Sequence, residues 1–273
     1  MADEFELCLI GAGNMGGAML AGWIESGFAA NRITVVDPSP RDGMAALLQK
    51  HDIRHCLAPP EGYRPDVMLI AVKPQAMEAV LPTLKGLAGP DTVSVSVAAG
   101  TTLAQLAAHL GEVPVVRSMP NTPAILRKGI TVCCPNGLCS EQQKARVDGL
   151  LSAIGKVRWV EDEAMIDAVT AVSGSGPAYV FHLAECMAAA GVGEGLSPDL
   201  AEALARETIA GAGAMLSQLD EPAGMLRENV TSPNGTTAAA LGELMGEGRL
   251  EKLVARAIHA ARRRSEELSG QVK

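Results

Sequence analysis

Three glycines, Gly11, Gly13 and Gly16, stand in the frame G-x-G-x-x-G within "LCLIGAGNMGGAM", after an apolar run and before a helix-like stretch. Each does a separate job in holding a pyrophosphate. Gly11 permits a tight turn, Gly13 lets the phosphates approach the backbone, and Gly16 lets helix pack on strand. The phosphates would meet free N–H groups at the helix start, where the dipole favours negative charge. The frame alone is weak evidence. Here the next β-like run, "ITVVD", ends in Asp37, where a carboxylate would bind the adenosine ribose of a dinucleotide. Asp37 favours NAD(H), because a carboxylate repels a 2′-phosphate. Ser39 and Arg41 in "DPSPR" would receive that phosphate if Asp37 turned aside, so NADP(H) and NAD(H) both stay open.

A second cluster, "NVTSPNGTTAAAL", packs Thr231, Ser232, Thr236 and Thr237 around Pro233, Asn234 and Gly235, then runs straight into an apolar helix. Such hydroxyls either cap the helix by accepting from its first N–H groups or, with those N–H groups, converge on a small ligand. Other chemistry is absent or weak. No Tyr-x-x-x-Lys pair exists, since Val67 follows Tyr63 and Leu183 follows Tyr179 at that spacing. Ser173 and Ser175 lack the G-x-S-x-G frame of a nucleophile elbow, and close helix packing accounts better for Gly174 and Gly176. His182, one helical turn beyond Tyr179, reads as a packing residue. Cys133, Cys134 and Cys139 form no CxxC pair and have no nearby His, so the six cysteines read as reduced thiols and no metal site is expected.

The elements that must position these residues follow from periodicity. Apolar runs at Leu7–Ile10, Ile33–Val36, Val67–Val72, Val93–Val97, Val113–Val116 and Ile130–Val132 alternate with helical segments, which predicts a parallel sheet with helices on both faces. "KVRWV" (Lys156–Val160) is expected to close or edge that sheet. After Asp162 the pattern becomes Ala-rich and helical, with small residues in "TIAGAGAML" suited to a tight bundle or a subunit interface. The expected domains are residues 1–162 for the dinucleotide and 163–273 for a helical substrate and dimerisation domain. Arg262–Arg264, followed by Glu266 and Glu267, read as a solvated helix face.

The bulk numbers fit this reading. The chain has 273 residues, 48% of them apolar and only 3% aromatic, so its core must be aliphatic. A net charge of −8 argues against nucleic acid as a partner. No apolar run approaches the ~18–20 residues of a membrane helix, and the acidic "MADEFELCLIGAG" is unlike a signal peptide, so a cytoplasmic location is expected.

Taken together, "IGAGNMGGAM", "AVKPQ" (Ala71–Gln75), "VAAG" (Val97–Gly100), "RSMPNTPA" (Arg117–Ala124), "VSGSGPAY" (Val172–Tyr179) and "NVTSPNGTT" resemble the pyrroline-5-carboxylate reductases, in order and over essentially the whole chain. The resemblance implies a Rossmann-like domain followed by a helical domain through which subunits interlock as a homodimer or larger homo-oligomer. It implies hydride transfer from NAD(P)H to the C=N bond of a five-membered cyclic imine, giving L-proline. Cofactor contacts would fall on Gly11, Gly13, Asn14, Met15, Gly16, Asp37, Ser39, Val72, Lys73, Pro74, Ala98 and Asn121. The substrate would lie among Ser232, Asn234, Gly235, Thr236 and Thr237. Thr237 would orient the ring nitrogen; Lys73 reads either as a catalytic acid or as a strand-end residue whose backbone supports the nicotinamide ribose.

Two departures stand out. The family loop reads S-P-G-G-T-T, and Asn234 replaces its first glycine; Asn tolerates a left-handed backbone better than most residues. The Asn that contacts the ribose or its phosphate in some members has no counterpart in "HCLAPPEGYRPD". A β-hydroxyacid dehydrogenase shares the glycine loop but needs a lysine after the second-domain glycines. No lysine lies between Glu161 and Asn229. A non-catalytic dinucleotide sensor would need neither "SGSGP" nor the hydroxyl loop.

Overall fold

The computed structural model describes residues 5–270. Contacts divide the chain into two compact units. The first runs to Gly174 and takes the chain back from Ala261; the second is Ser175–Ala260.

The first unit holds one eight-stranded sheet: β1 (Leu7–Ile10), β2 (Ile33–Val36), β3 (Arg54–Cys56), β4 (Val67–Ile70), β5 (Val93–Ser96), β6 (Val115–Met119), β7 (Gly129–Pro135) and β8 (Gly155–Trp159). Their order across the sheet is 3-2-1-4-5-6-7-8. The first six strands run parallel, with Leu7 opposite both Ile33 and Val67. Helices α1 (Asn14–Glu25), α2 (Asp42–Lys50), α3 (Met77–Leu84), α4 (Leu103–Leu110), α5 (Glu141–Ser152) and α6 (Met165–Val169) accompany them.

Continuous apolar strands are what a sheet covered on both faces requires. Strand side chains alternate between faces, so Leu7 and Leu9 join one core with Met19, Leu20 and Trp23 of α1 and Leu150 of α5. Cys8 and Ile10 point the other way, into a core with Leu81 and Leu84 of α3 and Leu106 of α4. Trp23 ties its side together by donating its indole N–H to the carbonyl of Leu150 at 2.9 Å.

Three features depart from the sequence reading. Strand β3, "RHC", is short and exposes Arg54 and His55, so it carries no apolar signal at all. Strand β7 is antiparallel to β6, and β8 is parallel to β7, so the sheet is not parallel throughout. The cause is chain length: the link from Met119 to Gly129 is shorter than the dozen or so residues of a parallel crossover, and the chain must double back. Strand β6 also begins at Val115 and continues through Arg117 to Met119, where the apolar run had suggested an end at Val116.

The second unit is helical: α7 (Gly176–Gly193), α8 (Pro198–Gln218), α9 (Ala223–Asn229), α10 (Thr236–Met245) and most of α11 (Arg249–Leu268), whose last turns belong to the first unit. Helices α7 and α8 approach closely because Gly191 has no side chain; a Cβ there would lie 3.2 Å from Leu196 and 3.3 Å from Ala201. Among the described residues no helix is long and apolar enough to cross a membrane.

Helix α5 offers a local test of the fold. Ser140 accepts from the N–H of Gln143, and the Gln143 side chain accepts from the N–H of Ser140, a reciprocal capping box. Ser140→Ala is expected to lower stability by about 1 kcal/mol. A thermal melt should read this as a fall of about 2–4 °C, with turnover unchanged. An unaltered melt would show that the cap contributes nothing.

Candidate active site

The glycine loop sits at the C-terminal end of β1, between β2 and β4, the point at which the strand order reverses and α/β sheets open a ligand crevice. Gly11 adopts a left-handed backbone, φ +86°, and a Cβ there would lie 2.9 Å from Val72 and 3.0 Å from the carbonyl of Ala71. Gly16 is tighter: a Cβ would fall 2.1 Å from the carbonyl oxygen of Gly11. Gly13 differs, because nothing lies within 4 Å of its Cβ position. The first and third glycines are therefore required by packing, whereas the second faces open space before α1. Asn14 and Met15 form the first turn of that helix.

Asp37 follows β2 and turns toward the loop. Its carboxylate accepts from the N–H of Ala12 at 2.7 Å and from the N–H of Ser39 at 2.8 Å. The His55 ring donates to the Asp37 carbonyl at 2.8 Å. Arg41 donates to the Asn14 side chain at 2.6 Å, so Asn14, Asp37, Ser39 and Arg41 gather beside the glycines. Val72, Lys73 and Pro74 follow β4, Lys73 exposed at the head of a short 3-10 turn. Ala98 follows β5 and is buried. Asn121 follows β6, where its side-chain oxygen accepts from the N–H of Ile130 at 3.0 Å and holds the start of β7. All of these belong to the first unit.

Ser232, Asn234, Gly235, Thr236 and Thr237 belong to the second. Asn234 has φ +59°, the left-handed conformation expected of its position. Gly235 is the residue before α10, and a Cβ there would clash with the Ser232 hydroxyl. No side chain caps α10, and Thr231 instead donates to the carbonyl of Arg227 at 2.7 Å, at the end of α9. The Thr231 hydroxyl is thus engaged at the end of α9, and neither Ser232, Thr236 nor Thr237 caps α10.

Other candidates resolve differently from one another. Ser173 donates to the carbonyl of Val169 at 3.1 Å within a π-helical turn, Thr170–Gly174, so its hydroxyl is engaged. A Cβ on Gly174 would clash only with the terminal methyl of Met119, which can move aside, and Gly176 has nothing within 4 Å, so packing within the chain requires neither glycine. In the single chain His182 is exposed and lies 2.9 Å from the Glu185 carboxylate. The thiols of Cys8 and Cys134 are raised by burial to about 12 and about 11, which keeps them protonated and unreactive. Among the described residues no group of three or more His, Cys, Asp or Glu could hold a metal ion.

One group escaped the sequence reading. Arg117, in the middle of β6, is 2% exposed and pairs with Glu163 at 2.9 Å and with Asp167 at 3.6 Å. Its signal was present, an arginine inside the apolar run "VPVVRSM", which needs a buried carboxylate partner.

A glycine loop at the reversal point of a 3-2-1-4-5-6 sheet, followed by a helical unit, defines a dinucleotide-dependent oxidoreductase. Residues 6–100 match the family model described as "NADP oxidoreductase coenzyme F420-dependent", and residues 163–268 match "Pyrroline-5-carboxylate reductase dimerisation". The chain is 44% identical to the pyrroline-5-carboxylate reductase of Pseudomonas aeruginosa, covering 97% of each, and 35% identical to that of Pisum sativum, covering 98% of each. Among solved structures, the Coxiella burnetii reductase superposes with a TM-score of 0.91 at 34% identity, over 98% of this chain and 99% of that one. The Plasmodium falciparum enzyme, solved with NADP bound, gives 0.82 at 28%, over 98% and 100%. The chain belongs to the pyrroline-5-carboxylate reductase family.

Asp37→Ala removes both an acceptor for two loop N–H groups and a negative charge. The expected outcome is weaker binding of both reduced cofactors, with NADPH gaining on NADH by about 1–2 kcal/mol in relative kcat/KM. Steady-state kinetics with each cofactor measures this. An unchanged ratio would mean that the carboxylate serves the loop alone.

Proposed function

We propose that this chain passes a hydride from NAD(P)H to the C=N carbon of Δ1-pyrroline-5-carboxylate, giving L-proline. The C=N π pair moves onto the ring nitrogen, which keeps the proton it brings as an iminium. Such an ion is already electrophilic, so no strong protein acid is demanded and the enzyme's task is orientation. The observation that carries the reading is the start of α10. There Gly235, not a hydroxyl side chain, precedes the helix, and Thr236 and Thr237 form its first turn without a capping bond. First-turn N–H groups and hydroxyls together suit a small carboxylate and a ring nitrogen. Ser232, Asn234, Gly235 and Thr236 surround the carboxylate in this reading, and Thr237 orients the nitrogen.

The cofactor lies along Gly11, Gly13, Asn14, Met15 and Gly16, with Asp37 and Ser39 toward the adenosine and Val72, Lys73, Pro74, Ala98 and Asn121 toward the nicotinamide. Lys73 supports the ribose through its backbone at the end of β4. The proposed place of action is the cytoplasm, in keeping with acidic net charge and several buried thiols.

The test is spectrophotometric. Reduced cofactor should be consumed with the cyclic imine and proline should appear; activity on 3-hydroxyacids but not on the imine would overturn the reading. Within the loop, Thr237→Ala should lower turnover by about 0.5–3 kcal/mol, with cofactor affinity and melting temperature nearly unchanged. Thr237→Ser should keep most of the rate, and Thr231→Ala should matter less. Equal losses at Thr231 and Thr237 with lowered melting temperature would assign these hydroxyls to structure alone.

Two copies are proposed to associate through the second unit. Helices α7 and α10 have no buried residue in the single chain, and Phe181, Leu183, Leu216 and Leu253 are more than half exposed. A groove of about 790 Å³ lies between α7 and α8, lined by Val180, Phe181, Val192 and Ile209 among others. So much apolar surface needs a cover. Light scattering should give a dimer or a multiple of it; an active monomer at micromolar protein would refute this.

A further inference from the structure

The loop Val97–Thr102 follows β5, beside β4, on the edge where the proposed nicotinamide contacts gather. It is bonded at its far end and closely approached in its middle, and both contacts lead to Arg117. At its far end Thr102 caps α4, and the next N–H, of Leu103, donates to the Glu163 carboxylate at 2.8 Å. The same Glu163 oxygen accepts from Arg117 at 2.9 Å.

In the middle of the loop, Gly100 has φ +77°, and a Cβ there would lie 3.3 Å from the carbonyl of Leu268. Leu268 ends α11, and three residues before it Ser265 donates to Asp167 at 2.6 Å. Asp167 is fully buried, with Arg117 3.6 Å away. One guanidinium thus sits between two carboxylates, one fastening the head of α4 and the other the tail of α11.

A buried cation between two acids is a poor means of adding stability, because desolvation offsets the attraction. Its fixed geometry, however, sets the place of whatever it holds. Apolar residues would pack α6 on the sheet as firmly, as Ile166 already does against Val132 and Cys134 of β7. They would not fasten the backbone of Leu103.

We propose that Arg117 is a positioning residue for the cofactor, acting through Glu163 and Asp167 to fix the loop Val97–Thr102 against which the nicotinamide lies. This rests on the dinucleotide reading of the first unit, and it adds a task for residues that touch neither cofactor nor substrate.

The decisive comparison is Glu163→Ala with Glu163→Gln, since Gln keeps an oxygen for the N–H of Leu103. NADPH affinity, read from the cofactor's own fluorescence with no imine present, should weaken about tenfold in Glu163→Ala and within about twofold in Glu163→Gln. Ser265→Ala should shift it in the same direction, by a few-fold. KM for the imine at saturating cofactor should hardly move. Arg117→Met should exceed them all in its effect on affinity; if it does not fold, the Glu163 pair decides. A cofactor affinity in folded Glu163→Ala within twofold of the parent, alongside a lowered melting temperature, would overturn the proposal and leave a purely structural cluster. Failure of the imine assay alone would sink the substrate reading without touching this measurement.

Discussion

No side-chain carbon fits between Gly11 and Gly16, and much of the first unit is arranged around that contact. A Cβ on Gly16 would run into the Gly11 carbonyl, so α1 can leave β1 at this angle only with a bare backbone at Gly16, while Gly11 is kept bare by Ala71 and Val72. Three strands are fastened at the same place. The Gly11 N–H donates to Val36 of β2, the Ala12 N–H donates to Asp37, and Gly11 lies against Ala71 and Val72 beyond β4. The turn proposed to present N–H groups to a phosphate is also the joint that sets helix against sheet.

The sequence made this joint legible because glycine has few reasons to recur at that spacing between a strand and a helix. Buried strands were equally plain: Leu7–Ile10 and Val67–Ile70 are apolar throughout, and Ile33–Val36 apolar but for Thr34, because both faces are covered. Strand β3 was hidden, since an edge strand of Arg54, His55 and Cys56 needs no apolar pattern, only backbone partners from β2. The reversal at β7 lay in a link length, not in residue types. Asn234 was read correctly as a left-handed position because its chemistry allows few alternatives to glycine.

The Arg117 cluster shows a different limit. Each member is visible as a polar or charged residue, but Arg117, the neighbouring pair Glu163 and Asp167, and Ser265 are far apart in sequence, and only the packing of α6 and the tail of α11 brings them together. The helical unit posed the converse problem. Its Ala- and Gly-rich faces were read as interface from composition, and in the single chain those faces remain uncovered.

The edges of the sheet bear on how copies of the chain can meet. Any edge strand offers unpaired N–H and C=O groups to another strand. At one edge β3 is three residues long and exposes Arg54 and His55; at the other, β8 exposes Lys156 and Arg158. Two such edges brought side by side would set cation against cation along a short ladder. Continuous sheet growth from chain to chain is thereby discouraged, as is its pathological form, the open-ended fibre. Association is steered instead to the helices, where a two-fold arrangement closes on itself and stops.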